Sequence, residues 1–112
     1  MTLSTLTETM QQIEKEINRN PEPISQLDLV YQFNIDEEIF QLQLKDGQGK
    51  ILERVQADPN CTLIMSYENF QKFLAGKLNG MTAFMTGKLK IQGDLTKALK
   101  LESIVKQYEL EI

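Results

Sequence analysis

The sequence predicts an α+β domain: a five-stranded, mainly antiparallel sheet with helices gathered on one face. Three observations predict it. Apolar residues recur at spacings of three and four near both ends of the chain, as they do along amphipathic helices. Between residues 31 and 44 apolar and polar residues alternate strictly, as they do along strands with one solvated face. A middle stretch, LAGKLNGMTAFMTGKLKIQGDL at 74–95, joins two short helical patterns to a strand, with glycines at the joints. The resulting order is helix, four strands, two helices, strand, helix.

The first stripe is Leu3, Leu6, Met10, Ile13 and Ile17. Thr2 stands where a cap belongs, and Asn18, Arg19, Asn20 and Pro21 end the helix, because a proline disfavours helix in the residue before it. Residues 1–20 are thus an N-terminal amphipathic helix, part of the same domain as 21–112. It reads as a helix packed on the domain surface. The sharper alternative is a helix that touches a membrane. Its polar face mixes Glu8, Glu14, Glu16, Lys15 and Arg19 and lacks the basic bias of such helices.

PEPISQ at 21–26 is a short linker. Tyr31, Phe33 and Ile35 alternate with Gln32 and Asn34, and Phe40, Leu42 and Leu44 with Gln41 and Gln43. Asp36, Glu37 and Glu38 turn the chain between these strands. Asp46-Gly47 and Gly49 make the next hairpin turn, leading to a third strand at 50–56 in an antiparallel meander. Residues 61–66 form a fourth strand, with Cys61, Leu63 and Met65 on one face. Ser66 caps the next helix, whose stripe is Phe70, Phe73, Leu74 and Leu78. Gly80 opens a short helix carrying Met81, Phe84 and Met85, and Gly87 closes it. Residues 88–92 are the fifth strand. Asp94 caps a last helix running to about Tyr108, with Leu95, Ala98, Leu99, Leu101, Ile104, Val105 and Tyr108 as its apolar positions. That face is wider than one seam needs, wide enough to pack on the sheet and line a hollow.

At 112 residues the chain fits one domain. Net charge is −4, with no basic block, which argues against nucleic acid. A single cysteine, Cys61, forms no internal disulfide and suits a reducing compartment. No apolar run approaches the ~20 residues that span a bilayer. The first residues lack the basic start and apolar block of a signal peptide, and the final LEI matches no targeting signal. These features point to a cytoplasmic protein.

Catalytic chemistry is poorly supplied. The chain has no histidine, the usual general acid–base group. Cys61 lacks a base partner and reads as a buried small hydrophobe. One cysteine without histidine makes zinc improbable, and Asp36, Glu37 and Glu38 read as a turn instead of a calcium loop. No metal and no cofactor are expected. IQGDLTKAL offers a strand, Gly93 and a helix, but Asp94 would repel a phosphate. Lysines 77, 88, 90, 97 and 100 fit an anionic head group or, more plainly, a solvated face.

What remains is flexible apolar bulk: Met65, Met81 and Met85 with Phe70, Phe73 and Phe84. Here the sequence resembles a known family. ADPNCTLIMSYENFQKFLAGKL, followed by AFMTGKLKIQGDLTKALKL, is similar to the sterol carrier protein 2 family, and to a small bacterial-type member of it. The pieces stand in the right order: Ala57-Asp58, Ser66-Tyr67-Glu68, Gly76-Lys77-Leu78, Gly87 to Ile91, and Gly93-Asp94. They cover about residues 24–106.

The resemblance implies a hydrophobic tunnel between sheet and helices that holds a fatty acid, an acyl-CoA, an isoprenoid or a sterol-like lipid without a catalytic act. The implied lining is Phe33, Phe40, Leu42, Met65, Phe70, Phe73, Leu74, Met81, Phe84, Met85, Leu89, Ile91, Leu99 and Val105. A buried methylene is worth ~0.8 kcal/mol, so a long acyl chain gains on the order of 10 kcal/mol before ordering costs. Glycines 76, 80 and 87 would let the Met81–Met85 helix move as a lid. The partners expected are a lipid or fatty-acyl ligand and transient contact with a membrane, with oligomeric state left open. The competing readings are a protein-interaction or dimerisation module and an accessory scaffold without a ligand.

Overall fold

The computed structural model describes residues 5–108. Thr2 and Leu3, read above as cap and first stripe position, lie outside them. The elements are α1 (Thr5–Arg19), a 3-10 turn (Glu22–Ile24), β1 (Leu29–Ile35), β2 (Glu38–Lys45), β3 (Gln48–Leu52), β4 (Cys61–Met65), α2 (Tyr67–Leu74), α3 (Gly80–Met85), β5 (Lys90–Gly93) and α4 (Leu95–Tyr108). The fold is α+β, with a five-stranded sheet in the order β3-β2-β1-β4-β5 and helices packed on one face.

β1, β2 and β3 follow each other through two tight turns. Asp46 and Gly47 both have positive φ, 54° and 72°, the geometry a two-residue hairpin needs. Asp36 also has positive φ (53°), and its carboxylate accepts the Tyr67 N–H, which fixes the β1–β2 turn to the start of α2. Alternation places Tyr31, Phe33 and Ile35 of β1 beside Leu42 and Phe40 of β2, all pointing at the helices.

The meander stops earlier than the sequence predicts. β3 ends at Leu52, short of the expected end at Gln56. The cause is topological: β4 pairs with β1 in parallel, on the side away from β2, so the chain must leave the edge and cross the sheet. Fully buried Gln41, on the face away from the helices, holds the crossing. It accepts the N–H groups of Gln56 and Ala57 and donates to the Ala57 carbonyl. Asn60 ends the crossing by exchanging hydrogen bonds with the Val30 backbone. Its carbonyl lies so near Gly93 that a Cβ there would stand 2.8 Å from it.

β3 is the edge of the sheet, and α1 lies along it. Asn18 donates to the Gly49 carbonyl at 2.9 Å and accepts the Gly49 N–H at 2.8 Å, and Glu14 accepts the Ile51 N–H at 2.7 Å. Side chains of a helix thereby satisfy the outward backbone groups of the strand. The Thr9 hydroxyl meets the Tyr67 hydroxyl at 2.8 Å and ties α1 to α2.

The caps fall where the sequence places them. Ser66 accepts the Asn69 N–H to start α2, and Asp94 accepts the Thr96 N–H at the start of α4. Asn79 caps α3 through the Thr82 N–H. Leu78 follows α2 instead of extending its stripe, because α2 ends at Leu74. β5 begins at Lys90, later than the expected 88, because the N–H groups of Lys88 and Leu89 both turn back to the Ala83 carbonyl.

Candidate ligand cavity

The stripes of three helices converge over the first two strands. Ile13 and Ile17 descend from α1, Phe73 and Leu74 from α2, and Leu101, Ile104, Val105 and Tyr108 from α4. Phe33, Leu42 and Leu44 form the floor. They surround an apolar cavity of about 20 Å³ that no polar atom faces. That is room for about one water, which needs roughly 10–15 Å³, whereas sites for drug-sized ligands measure roughly 300–1,000 Å³. An acyl chain enters only if the helices part. At one end the Tyr108 hydroxyl donates to the Asn20 carbonyl at 2.6 Å and joins the last turn of α4 to the end of α1.

Of the residues the sequence nominates, Phe33, Leu42, Phe73, Leu74 and Val105 line this space. Phe40, Met65, Phe70 and Leu89 are buried in the core around it, with Phe70 tilted against Phe33 at a centroid distance of 5.4 Å. Ile91 is half-buried on β5.

Met81, Phe84, Met85 and Leu99 are a correction: they are 39%, 40%, 79% and 39% exposed and face solvent. The reason is steric. α3 buries only its small residues, Gly80 and Ala83, and turns its large ones outward. α4 buries Ala98, Leu101 and Val105, and Leu99 stands about 100° round the helix from Ala98. α3 therefore contributes no side chain to the cavity.

Sequence reasoning missed Ile13, Ile17, Leu44, Leu101, Ile104 and Tyr108 as lining. Their signal was present. The α1 stripe reads as surface packing or as a membrane contact and not as lining, and the breadth of the α4 face already suggests a hollow.

The chemistry nearby is inert. Burial, with the charges of Cys61 and Asp94, pushes the Tyr31 phenol well above its ordinary range, and its hydroxyl donates to the Lys97 carbonyl. Burial, with the charge of Asp94, pushes the Cys61 thiol up to about 11, so it stays protonated at neutral pH. Thr96 holds the exposed Asp94 carboxyl below its usual value by hydrogen bonding. Among the described residues no group of three His, Cys, Asp or Glu side chains is arranged to hold a metal. No helix among them is long and apolar enough to cross a membrane.

Fold and cavity together are a sheet covered by helices around a small apolar space, without a catalytic constellation among the described residues. The chain belongs to the SCP-2 sterol transfer family, whose model matches residues 10–106. A hydroxysteroid dehydrogenase-like protein 2 of Xenopus laevis is 35% identical over 114 aligned residues, covering 97% of this chain and 27% of that protein. The chain thus spans about a quarter or less of the length of the curated relatives it matches. The solution structure of the sterol carrier protein domain 2 of Helicoverpa armigera superposes with a TM-score of 0.77 at 28% identity, over 94% of this chain and 88% of that one. Sterol carrier protein 2 from Yarrowia lipolytica in its apo form gives 0.74 at 26% identity, over 92% and 91%. Both of these solved relatives are sterol carrier proteins by name.

Proposed function

We propose that the domain binds a single-chain lipid, such as a fatty acid, a fatty acyl-CoA or an isoprenoid, in the cavity between α1, α2, α4 and the β1–β2 floor. It exchanges that lipid with membranes from the cytoplasm. The observation that carries this reading is the cavity wall, which is apolar on every side although it joins five separate elements. The narrow space favours a linear chain that can thread between parted helices over a rigid sterol ring. The expected bacterial type of the chain belongs to the same reading. Binding would be driven by apolar burial and would show the negative heat-capacity change that accompanies it.

Displacement of a fluorescent fatty acid by unlabelled palmitate tests the proposal. Saturable, one-to-one displacement supports it, and no uptake at any concentration below micelle formation refutes it. The alternative, a dimerisation module, draws on the exposed apolar residues of α3 and α4 and predicts a dimer at micromolar concentration in native mass spectra.

A further inference from the structure

Asn79 and Gly80 are the chain's single asparagine–glycine pair; the other five asparagines precede Arg19, Pro21, Ile35, Cys61 and Phe70. In such a pair the glycine nitrogen, with no neighbouring Cβ to hinder it, can attack the asparagine side chain. The Gly80 nitrogen bonds to Asn79 Cγ and the Cγ–Nδ2 bond breaks. Nδ2 leaves as ammonia, carrying the proton that the Gly80 amide gave up. Water then opens the resulting succinimide at either carbonyl, which leaves an aspartyl or an isoaspartyl residue at position 79. Asn79 is exposed, so water and base reach it.

The fold stands against this reaction at three points. Ring closure needs the Gly80 nitrogen eclipsed with Asn79 Cβ, and at ψ 114° it is turned well away. The Asn79 side chain is held as the cap of α3, where it accepts the Thr82 N–H at 2.9 Å. The Gly80 N–H itself is donated to Glu102 of α4 at 3.1 Å. A carboxylate against that N–H opposes loss of its proton, because the nitrogen anion would face a negative oxygen. The fit is close: a Cβ at Gly80 would stand 2.7 Å from the other Glu102 oxygen. Lys106 in turn steadies Glu102 at 3.5 Å.

All three restraints depend on α3 staying docked. That helix has six residues and buries only Gly80 and Ala83. Among its backbone groups, the Gly80 N–H is the one that reaches a side chain of α4.

We propose that Asn79–Gly80 is a deamidation site that Glu102 holds in check and that undocking of α3 releases. The step runs one way. An aspartyl product keeps the cap and adds a charge. An isoaspartyl product lengthens the main chain by a methylene, so the cap and the Gly80–Glu102 hydrogen bond are both lost and α3 stays undocked. The first peptide of α3 thereby records how long the molecule has spent open. This inference is independent of what the cavity holds.

The test follows deamidation in the full chain and in its Glu102→Ala and Lys106→Ala variants, each incubated at neutral pH with and without guanidinium chloride. Peptide mass spectrometry reads the conversion of amide to acid at position 79, and chromatography separates the two acid forms. Wild type should convert slowly when folded and at least roughly ten-fold faster when unfolded, because reaction then needs no local opening. Folded Glu102→Ala should convert roughly ten-fold faster than folded wild type, the factor that a hydrogen bond to a charged group carries. Unfolded, the two should match. Lys106→Ala leaves the Gly80–Glu102 bond in place and should convert at close to the wild-type rate. Equal wild-type rates in the folded and unfolded states would overturn the proposal. So would a folded Glu102→Ala no faster than wild type, or an equal acceleration in Lys106→Ala. The wild-type comparison needs no variant, so the proposal stays open to refutation even where Glu102→Ala fails to fold.

Discussion

At Gly49 the absence of a side chain decides how α1 sits. A Cβ there would stand 2.8 Å from Ile17 Cγ2, inside the cavity wall. Gly49→Ala is therefore expected to destabilise the domain by about 1–3 kcal/mol in urea unfolding, through overpacking, while α1 shifts outward. The sequence shows Gly49 only as a turn residue, because close approach of a distant helix leaves no local pattern. The caps at Ser66 and Asp94 were readable for the opposite reason: each acts within its own turn. Cys61 and Tyr31 govern alkaline behaviour. The unfolded chain releases the Cys61 proton near its ordinary 9.0, whereas the folded chain holds it to about 11. Stability is thus fully present below 9.0 and falls as pH rises through 11, by on the order of 2 kcal/mol for Cys61 alone. Urea midpoints measured from neutral pH upward should show this fall, and Cys61→Ala should flatten its first part.

Among the elements, α1 and α4 both wall the cavity, and Tyr108 to Asn20 is a hydrogen bond between their ends. Tyr108→Phe removes the bond and keeps the ring. Stability should fall by about 1 kcal/mol, and stopped-flow uptake of a fluorescent fatty acid should quicken several-fold. α3 behaves differently. It buries only Gly80 and Ala83, so its amide protons should exchange faster than those of β1 and β2 with or without lipid. Helices and strands were largely legible because periodicity is local. The end of β3 was not, because nothing in KILERVQ marks Leu52 as the point where the chain departs to reach its place beyond β1. The parallel β1–β4 pair was equally hidden, since alternation names a strand's faces and not its neighbour. The large residues of α3 misled for a related reason: composition marks a segment as apolar without saying which side turns inward.

For the molecule as a whole, the cavity predicts that bulk can replace ligand. Val105→Phe should fill the space, abolish fatty-acid uptake and leave the circular dichroism spectrum unchanged, with thermal stability equal or higher. Phe33 and Leu42 of the floor and Phe73, Leu74 and Val105 of the wall were legible, through the resemblance to the family, whereas the α1 contribution depended on where that helix docks. That docking reaches beyond the ligand. Asn18 and Glu14 occupy the outward hydrogen-bonding groups of Gly49 and Ile51 on the edge strand. If α1 swings aside to admit a lipid, those groups come free and β3 becomes a template for a strand from another molecule. Loading and self-association would then share one transient state. Asn18→Ala should make the protein prone to thioflavin-positive aggregation, and bound lipid that lets α1 reseat should suppress it. A carrier built this way is safest when it is either firmly shut or fully loaded, and most vulnerable in between.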